Sequence, residues 1–222
     1  TDDGELAERL RAFQTQCAWP SAGQTARYLL KFVLSFALTE PHLHRPIRAL
    51  YELGGERHPL PRPTSPAERR GERPPHYAQR LSNAQAALAL RQLRRLGANV
   101  AHRRLIAVEY EARLSAAGLA VPRPPAGANP AYVRYPVWVA DRGRAVAAAS
   151  RRALLGIWFT SVLEEAASPE RAGYIAGSCP WAERAARHLI NLPTHQRVRP
   201  ADAAAIVDLV AETRGCDEDP DC

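Results

Sequence analysis

Few side chains in this sequence have types and spacing that could do chemistry. His188 and His195 bracket the short apolar run HLINL and a Pro-Thr turn. Imidazole titrates near neutral pH, but no third ligand or nucleophile accompanies the pair, so structural roles are expected. Lys31 is the single lysine among 30 lysine and arginine residues, which leaves 29 arginines. With Arg27 and Ser35 it recurs every four residues, one narrow polar stripe on an otherwise apolar run. Cys17, Cys179, Cys216 and Cys222 contain no CxxC pair, and the last two flank the acidic run DEDPD. A metal site would need more ligands, so no metal is expected, the thiols read as free, and no catalytic residue is assigned.

The element best placed to position anything is the stretch 77–118. Ser82 followed three residues later by Gln85 has the spacing of a capping box. Proline is absent from the stretch, and Gly118 supplies the stop. Apolar residues recur at Ala86, Leu90, Leu93, Leu96, Val100, Leu105, Val108 and Ala112, leaving Arg91, Arg94, Arg95, Arg103 and Arg104 to point elsewhere. The expectation is one long helix of roughly 50 Å with a buried face and a cationic face, and with a kink or close packing at Gly97.

Composition bounds the class. In 222 residues, 46% hydrophobic content can bury a sizeable core, so one or two globular domains are expected. No stretch reaches the roughly 18 to 20 apolar residues of a membrane span, and the start lacks the pattern of a signal peptide. A cytoplasmic location is the expectation. The chain opens on Thr1 and has no methionine, which suggests a fragment or processed piece. The formal charge of +7 comes from arginines spread over helix faces without interleaved aromatics, so nucleic-acid binding is not expected.

Along the chain, 1–13 reads as a helix, CAWPSAG as a turn-rich link, and 25–38 as an apolar helix. The last is most simply a buried helix; a partner-binding or membrane-interface helix is the alternative. A short helix over 41–54 and an exposed Pro-rich loop over 58–75 follow. Beyond the long helix come a Pro-rich connector (121–130), a strand (132–139), a helix (144–155), a strand (156–162) with Trp158 and Phe159 in the core, a helix (180–188), a strand (188–192) and a closing helix (200–212) with proline in its first turn. This order describes an α/β or α+β layer domain.

Three stretches, TDDGELAERLR, RLSNAQAALALRQLRRL with HRRLIAVEYEARL, and PWAERAARHLINLPTHQRVRPADAAAIVDLV, together resemble the DegT/DnrJ/StrS family of pyridoxal-phosphate-dependent sugar aminotransferases, in the order of its C-terminal half. The resemblance implies the C-terminal part of an aspartate-aminotransferase-type, fold type I enzyme. Residues 1–81 would be the tail of a large domain with a helical, Pro-rich insertion. Residues 82–118 would be the interdomain helix, 119–213 a small domain of mixed sheet and helices, and 214–222 an acidic tail. It further implies pyridoxal phosphate as cofactor, a homodimer or a complementary N-terminal half as partner, and an amino donor and keto acceptor as small-molecule substrates. The family's cofactor lysine would lie upstream of Thr1, and Lys31, with no Gly-rich or Asp-bearing motif beside it, is a poor substitute. Where the family carries Gly-Tyr-Asn-Tyr-Arg, this chain has His76, Tyr77, Ala78, Gln79 and Arg80. Ala78 stands in the place of the phosphate-binding Asn. Gln79, a partial replacement for that amide, and Arg80, whose fork suits an anion or an ion pair, are the implied cofactor-binding residues. The loop SVLEEAASPERAGY lacks the family's usual Pro-Leu-His-like pattern. A non-catalytic interaction module is the alternative function.

Overall fold

A computed structural model describes residues 2–38, 66–74, 77–150, 152–163 and 169–213. The chain divides into two compact units, residues 1–94 and 95–222. The short helix expected over 41–54, much of the loop over 58–75, and Cys216 and Cys222 lie outside the described residues.

The first unit is helical. Helix α1 (Gly4–Gln16) opens at Asp3, whose carboxylate accepts the Leu6 amide at 3.0 Å, and α2 (Ala22–Leu38) begins three residues earlier than its apolar run suggests. The reason is a reciprocal cap. The Ser21 amide donates to Gln24 Oε1 at 2.9 Å, and the Gln24 amide donates to Ser21 Oγ at 3.2 Å. A single turn, α3 (Pro66–Arg69), precedes the exposed Arg70–Glu72 ion pair at 2.7 Å. Helix α4 (Asn83–Leu93) has the capping box that Ser82 and Gln85 foretell. The expectation of a buried α2 is corrected, because Leu30, Phe32, Val33 and Leu34 are 43% to 61% exposed. Helix α2 meets α4, but that covers only part of its circumference. Among the described residues of this unit Ser82 alone is buried.

The expected long helix is two. Helix α4 ends at Leu93, and α5 (Leu96–Ala116) starts after Arg94 and Arg95. Arg91, Arg94 and Arg95 place like charges three and four residues apart, which weakens a helix at this point. Gly97 lowers propensity further by about 1 kcal/mol. The interruption therefore falls just before Gly97, which makes no close packing contact of its own. At the other end Gly118 adopts φ +68°, and the Leu119 amide returns to the Leu114 carbonyl at 2.8 Å.

The second unit holds the core. Ile106, Ala107, Tyr110 and Leu114 of α5 are buried while Leu96, Leu105 and Val108 are exposed, so the buried stripe is rotated from the one the apolar spacing suggests. Two anchors set the rotation. The Tyr110 hydroxyl donates to the Pro193 carbonyl at 2.9 Å, and Arg104 turns inward to the carbonyls of Pro130 and Asn129 at 3.1 and 3.3 Å. Strands β1 (Arg134–Trp138) and β2 (Leu189–Pro193) form an antiparallel ribbon with Arg134 opposite Pro193 and Trp138 opposite Leu189. Tyr135, Val137, Ile190 and Leu192 alternate onto its buried face. Helix α6 (Arg142–Ala149) and helix α8 (Pro200–Glu212) close the core, with Ala203, Ile206, Val207 and Val210 at helical spacing. Helix α7 (Pro180–His188) leads straight into β2. The strand expected over 156–162 shrinks to one bridge, in which Gly156 and Asn191 exchange backbone hydrogen bonds at 2.8 and 2.7 Å. Beyond it the Asn191 side chain takes the Trp158 carbonyl at 2.6 Å. Trp158 and Phe159, expected in the core, are 58% and 56% exposed. The result is a mostly helical α+β arrangement with an antiparallel ribbon in place of the mixed sheet.

Candidate functional site

In the first unit the residues around Gln79 and Arg80 are held by α1 and α2. Residue 79 forms an isolated parallel bridge with Ala18, and the Arg80 amide donates to the Ala18 carbonyl at 2.9 Å. This sets the Arg80 side chain against the end of α1. Its Nε donates to the carbonyls of Gln14 and Cys17 at 2.9 and 3.0 Å, and its Nη2 to that of Thr15 at 2.5 Å. The guanidinium lies 4.8 Å from the centre of the Trp19 ring. Helix C-termini leave carbonyls without intrahelical partners and carry partial negative charge, which a cation satisfies. Gln79 Nε2 donates to Gln24 Oε1 at 3.3 Å, so the residue that caps α2 also holds residue 79. Ala78 is half-buried beside them and offers no side-chain donor. Tyr77 is 69% exposed, with the Arg73 guanidinium 5.0 Å from its ring centre.

These residues do not by themselves fit pyridoxal phosphate. Two of the three guanidinium nitrogens of Arg80, Nε and Nη2, are turned to α1 carbonyls, and Ala78 offers no side-chain donor. Lys31 is exposed on α2. The Ser21/Gln24 cap, which joins α2 to residue 79, carries the S-x-x-Q spacing of a helix start, a signal that lies within the stretch the sequence reads as a turn-rich link.

In the second unit the two histidines separate in role. His188 Nδ1 donates to the carbonyls of Val139 and Ala140 at 3.0 and 3.1 Å, and its ring stacks on Trp138 at 5.2 Å. It closes the ribbon end next to α7. His195 lies past the other end, among cations. Arg103 of α5 donates through Nη1 to the Val133 carbonyl and to Thr194 Oγ1 at 2.8 and 3.0 Å, and through Nε to Asn99 Oδ1 at 2.6 Å. His102 Nε2 donates to the His195 carbonyl at 3.2 Å. Although His195 reaches solvent, its surroundings partly desolvate the ring. That desolvation, and then the charges of Arg134, Arg103, Arg197 and His102, hold its pKa below the ordinary histidine value. Arg103 is likewise lowered, by burial and then by Arg134.

A third cluster organises the loop before α7. The Glu183 carboxylate accepts the Tyr174 hydroxyl at 2.7 Å and the Gly177 amide at 2.6 Å, and the Cys179 amide donates to the Tyr174 hydroxyl at 3.2 Å. Among the described residues no group of three or more His, Cys, Asp and Glu side chains could hold a metal ion, and no helix is long and apolar enough to cross a membrane.

Solved structures of aminotransferases resemble this arrangement. An aminotransferase described by the names DegT, DnrJ, EryC1 and StrS from Brucella abortus matches with TM-score 0.53 and 25% identity over 62% of this chain and 37% of that one. Aminotransferase TlmJ from Streptoalloteichus hindustanus matches with TM-score 0.51 and 30% identity over 61% and 38%. DesV of S. venezuelae, solved in complex with a ketimine intermediate, shares the fold with TM-score 0.53 at 24% identity over 81% and 46%. The chain thus spans between 37% and 46% of the length of these three structures. No curated protein matches it. The family model that does match covers residues 36–211, and the chain belongs to the DegT/DnrJ/EryC1/StrS aminotransferase family.

Proposed function

We propose that this chain is the C-terminal portion of a pyridoxal-phosphate-dependent aminotransferase of fold type I, which moves an amino group from an amino donor to a keto sugar carried by a nucleotide. The observation that carries the reading is the family match over residues 36–211, which runs from the end of α2 through the ribbon to α8. In this reading residues 82–118, which hold α4 and α5, are the interdomain segment, and the ribbon with α6, α7 and α8 forms the small domain of residues 119–213. Gln79 and Arg80, tied to Gln24 and to the carbonyls at the end of α1, hold the segment ahead of α4, and a complementary N-terminal half supplies the lysine that carries the cofactor. The cofactor provides the electron sink for amino transfer; this chain supplies the framework.

The test is to add pyridoxal phosphate to residues 1–222 and reduce with borohydride. The reading expects no adduct on Lys31 and no turnover of an amino donor. A trapped Lys31 adduct together with turnover would overturn it. A second reading, a non-catalytic interaction module, is favoured by the Arg80 contacts with α1 and by Ala78. It predicts that adding the N-terminal half of a family relative restores neither cofactor binding nor activity, whereas the first reading predicts that it restores both.

A further inference from the structure

One end of the ribbon gathers positive charge from three parts of the fold. His102 and Arg103 come from α5, Arg134 opens β1, and His195 and Arg197 follow β2. The strand register makes this unavoidable, since Arg134 pairs with Pro193, and His195 is only two residues further on. Arg103 ties the group together through Thr194 and the Val133 carbonyl. The charged neighbours that depress His195 are all cationic. Arg134 is exposed, and its guanidinium lies 5.8 Å from the ring centre of Trp158, which is itself exposed. A fold that brings several cations to one spot bears their mutual repulsion, and an anion relieves it. Guanidinium forks and protonated imidazole are the groups that recognise phosphate oxygens.

We infer that the ribbon end formed by Arg103, Arg134, His102 and His195 is a binding site for a phosphate-class oxyanion, a use separate from amino transfer. Arg103 is the fixed wall, anchored by Asn99, Thr194 and the Val133 carbonyl. Arg134 is the outer arm that swings onto the ligand, and Trp158 offers a flat surface beside it. His195 senses the ligand: a bound anion favours its protonated form, so binding raises the pH at which the ring takes up its proton. Arg134, Arg103, Arg197 and His102 are the charged groups that oppose this protonation when the site is empty.

The experiment titrates the full chain with inorganic phosphate at constant ionic strength and follows the ring protons of His102 and His195 by NMR, assigned with His195→Gln. The expected result is a saturable shift and an upward move of the His195 titration midpoint. Arg134→Gln should weaken binding about tenfold or more, and Arg134→Lys less, while Arg123→Gln, an exposed arginine on the connector, leaves it unchanged. Thermal melts confirm that each variant is folded. A shift that sodium chloride reproduces, or one that survives Arg134→Gln intact, overturns the site. Parallel titrations with pyrophosphate and adenosine diphosphate locate the source of the phosphoryl group. Tighter binding of the nucleotide assigns Trp158 to a base, and equal binding confines the site to the phosphate.

Discussion

The Tyr110 hydroxyl donates a 2.9 Å hydrogen bond to the Pro193 carbonyl, joining the centre of α5 to the last residue of β2. The bond lies inside the core, and Tyr110 also tilts against the Tyr135 ring with centroids 5.4 Å apart. Tyr110→Phe keeps the ring and strands the carbonyl, so urea unfolding should show a loss of about 1 to 3 kcal/mol. Burial also raises the hydroxyl pKa of both Tyr110 and Tyr135. The folded state therefore holds these phenols neutral at a pH where the unfolded chain ionises them. The contribution of these two phenols to stability should be constant below about pH 10 and fall above it, less steeply in Tyr110→Phe.

Arg80 closes the end of α1 through three carbonyls. Removing it in Arg80→Ala should speed amide hydrogen exchange in the last turn of α1 about tenfold and leave the α4 cap at Ser82 unchanged. Arg80→Lys keeps the charge but cannot span the carbonyls with a planar fork, so it should restore only part of the protection.

Gly156 sits flat against Asn191. A Cβ there would lie 3.1 Å from Asn191 Cβ and 3.5 Å from the Asn191 carbonyl oxygen. Gly156→Ala should therefore push the bridge apart and destabilise the second unit by about 1 to 3 kcal/mol in chemical denaturation. An unchanged midpoint would mean that Asn191 yields at no cost.

Glu183 holds its loop as a carboxylate, and its pKa is lowered first by the Gly177 amide and then by the Tyr174 hydroxyl. A depressed carboxylate stabilises the fold above its ordinary value and ceases to do so as pH falls through the folded value. Protection of the Gly177 amide should be full near neutrality and disappear below the ordinary carboxylate range. In Glu183→Gln it should be weak at every pH, as hydrogen exchange would report.

The parts of the fold legible in the sequence were those fixed by local chemistry. Proline in the first turn marked α8, Ser82 with Gln85 marked the start of α4, Gly118 ended α5, and alternation marked β1. What escaped was decided at long range. The apolar residues of 86–112 follow a regular period, yet Tyr110 and Arg104 find partners at Pro193 and Pro130 that turn α5 onto another face. Trp158 and Phe159 have strand-like composition, but Asn191 claims the backbone there with its side chain. For the candidate site, the residue pair 79–80 could be picked out by resemblance, while its contacts with residues 14–24 depend on a chain return that no local pattern encodes. The charge at the ribbon end was equally hidden, because its arginines and histidines lie far apart in sequence and meet only through the register of β1 and β2.

All the buried apolar side chains among the described residues lie between Ile106 and Val210. The two units therefore respond differently to substitution. In the second, a change of volume at Ile106, Leu192 or Val207 is felt at once by its neighbours, so such positions must vary together or stay fixed. In the first, Leu10 and Val33 are 54% and 61% exposed, so a change there is felt through association with other molecules more than through packing within the unit.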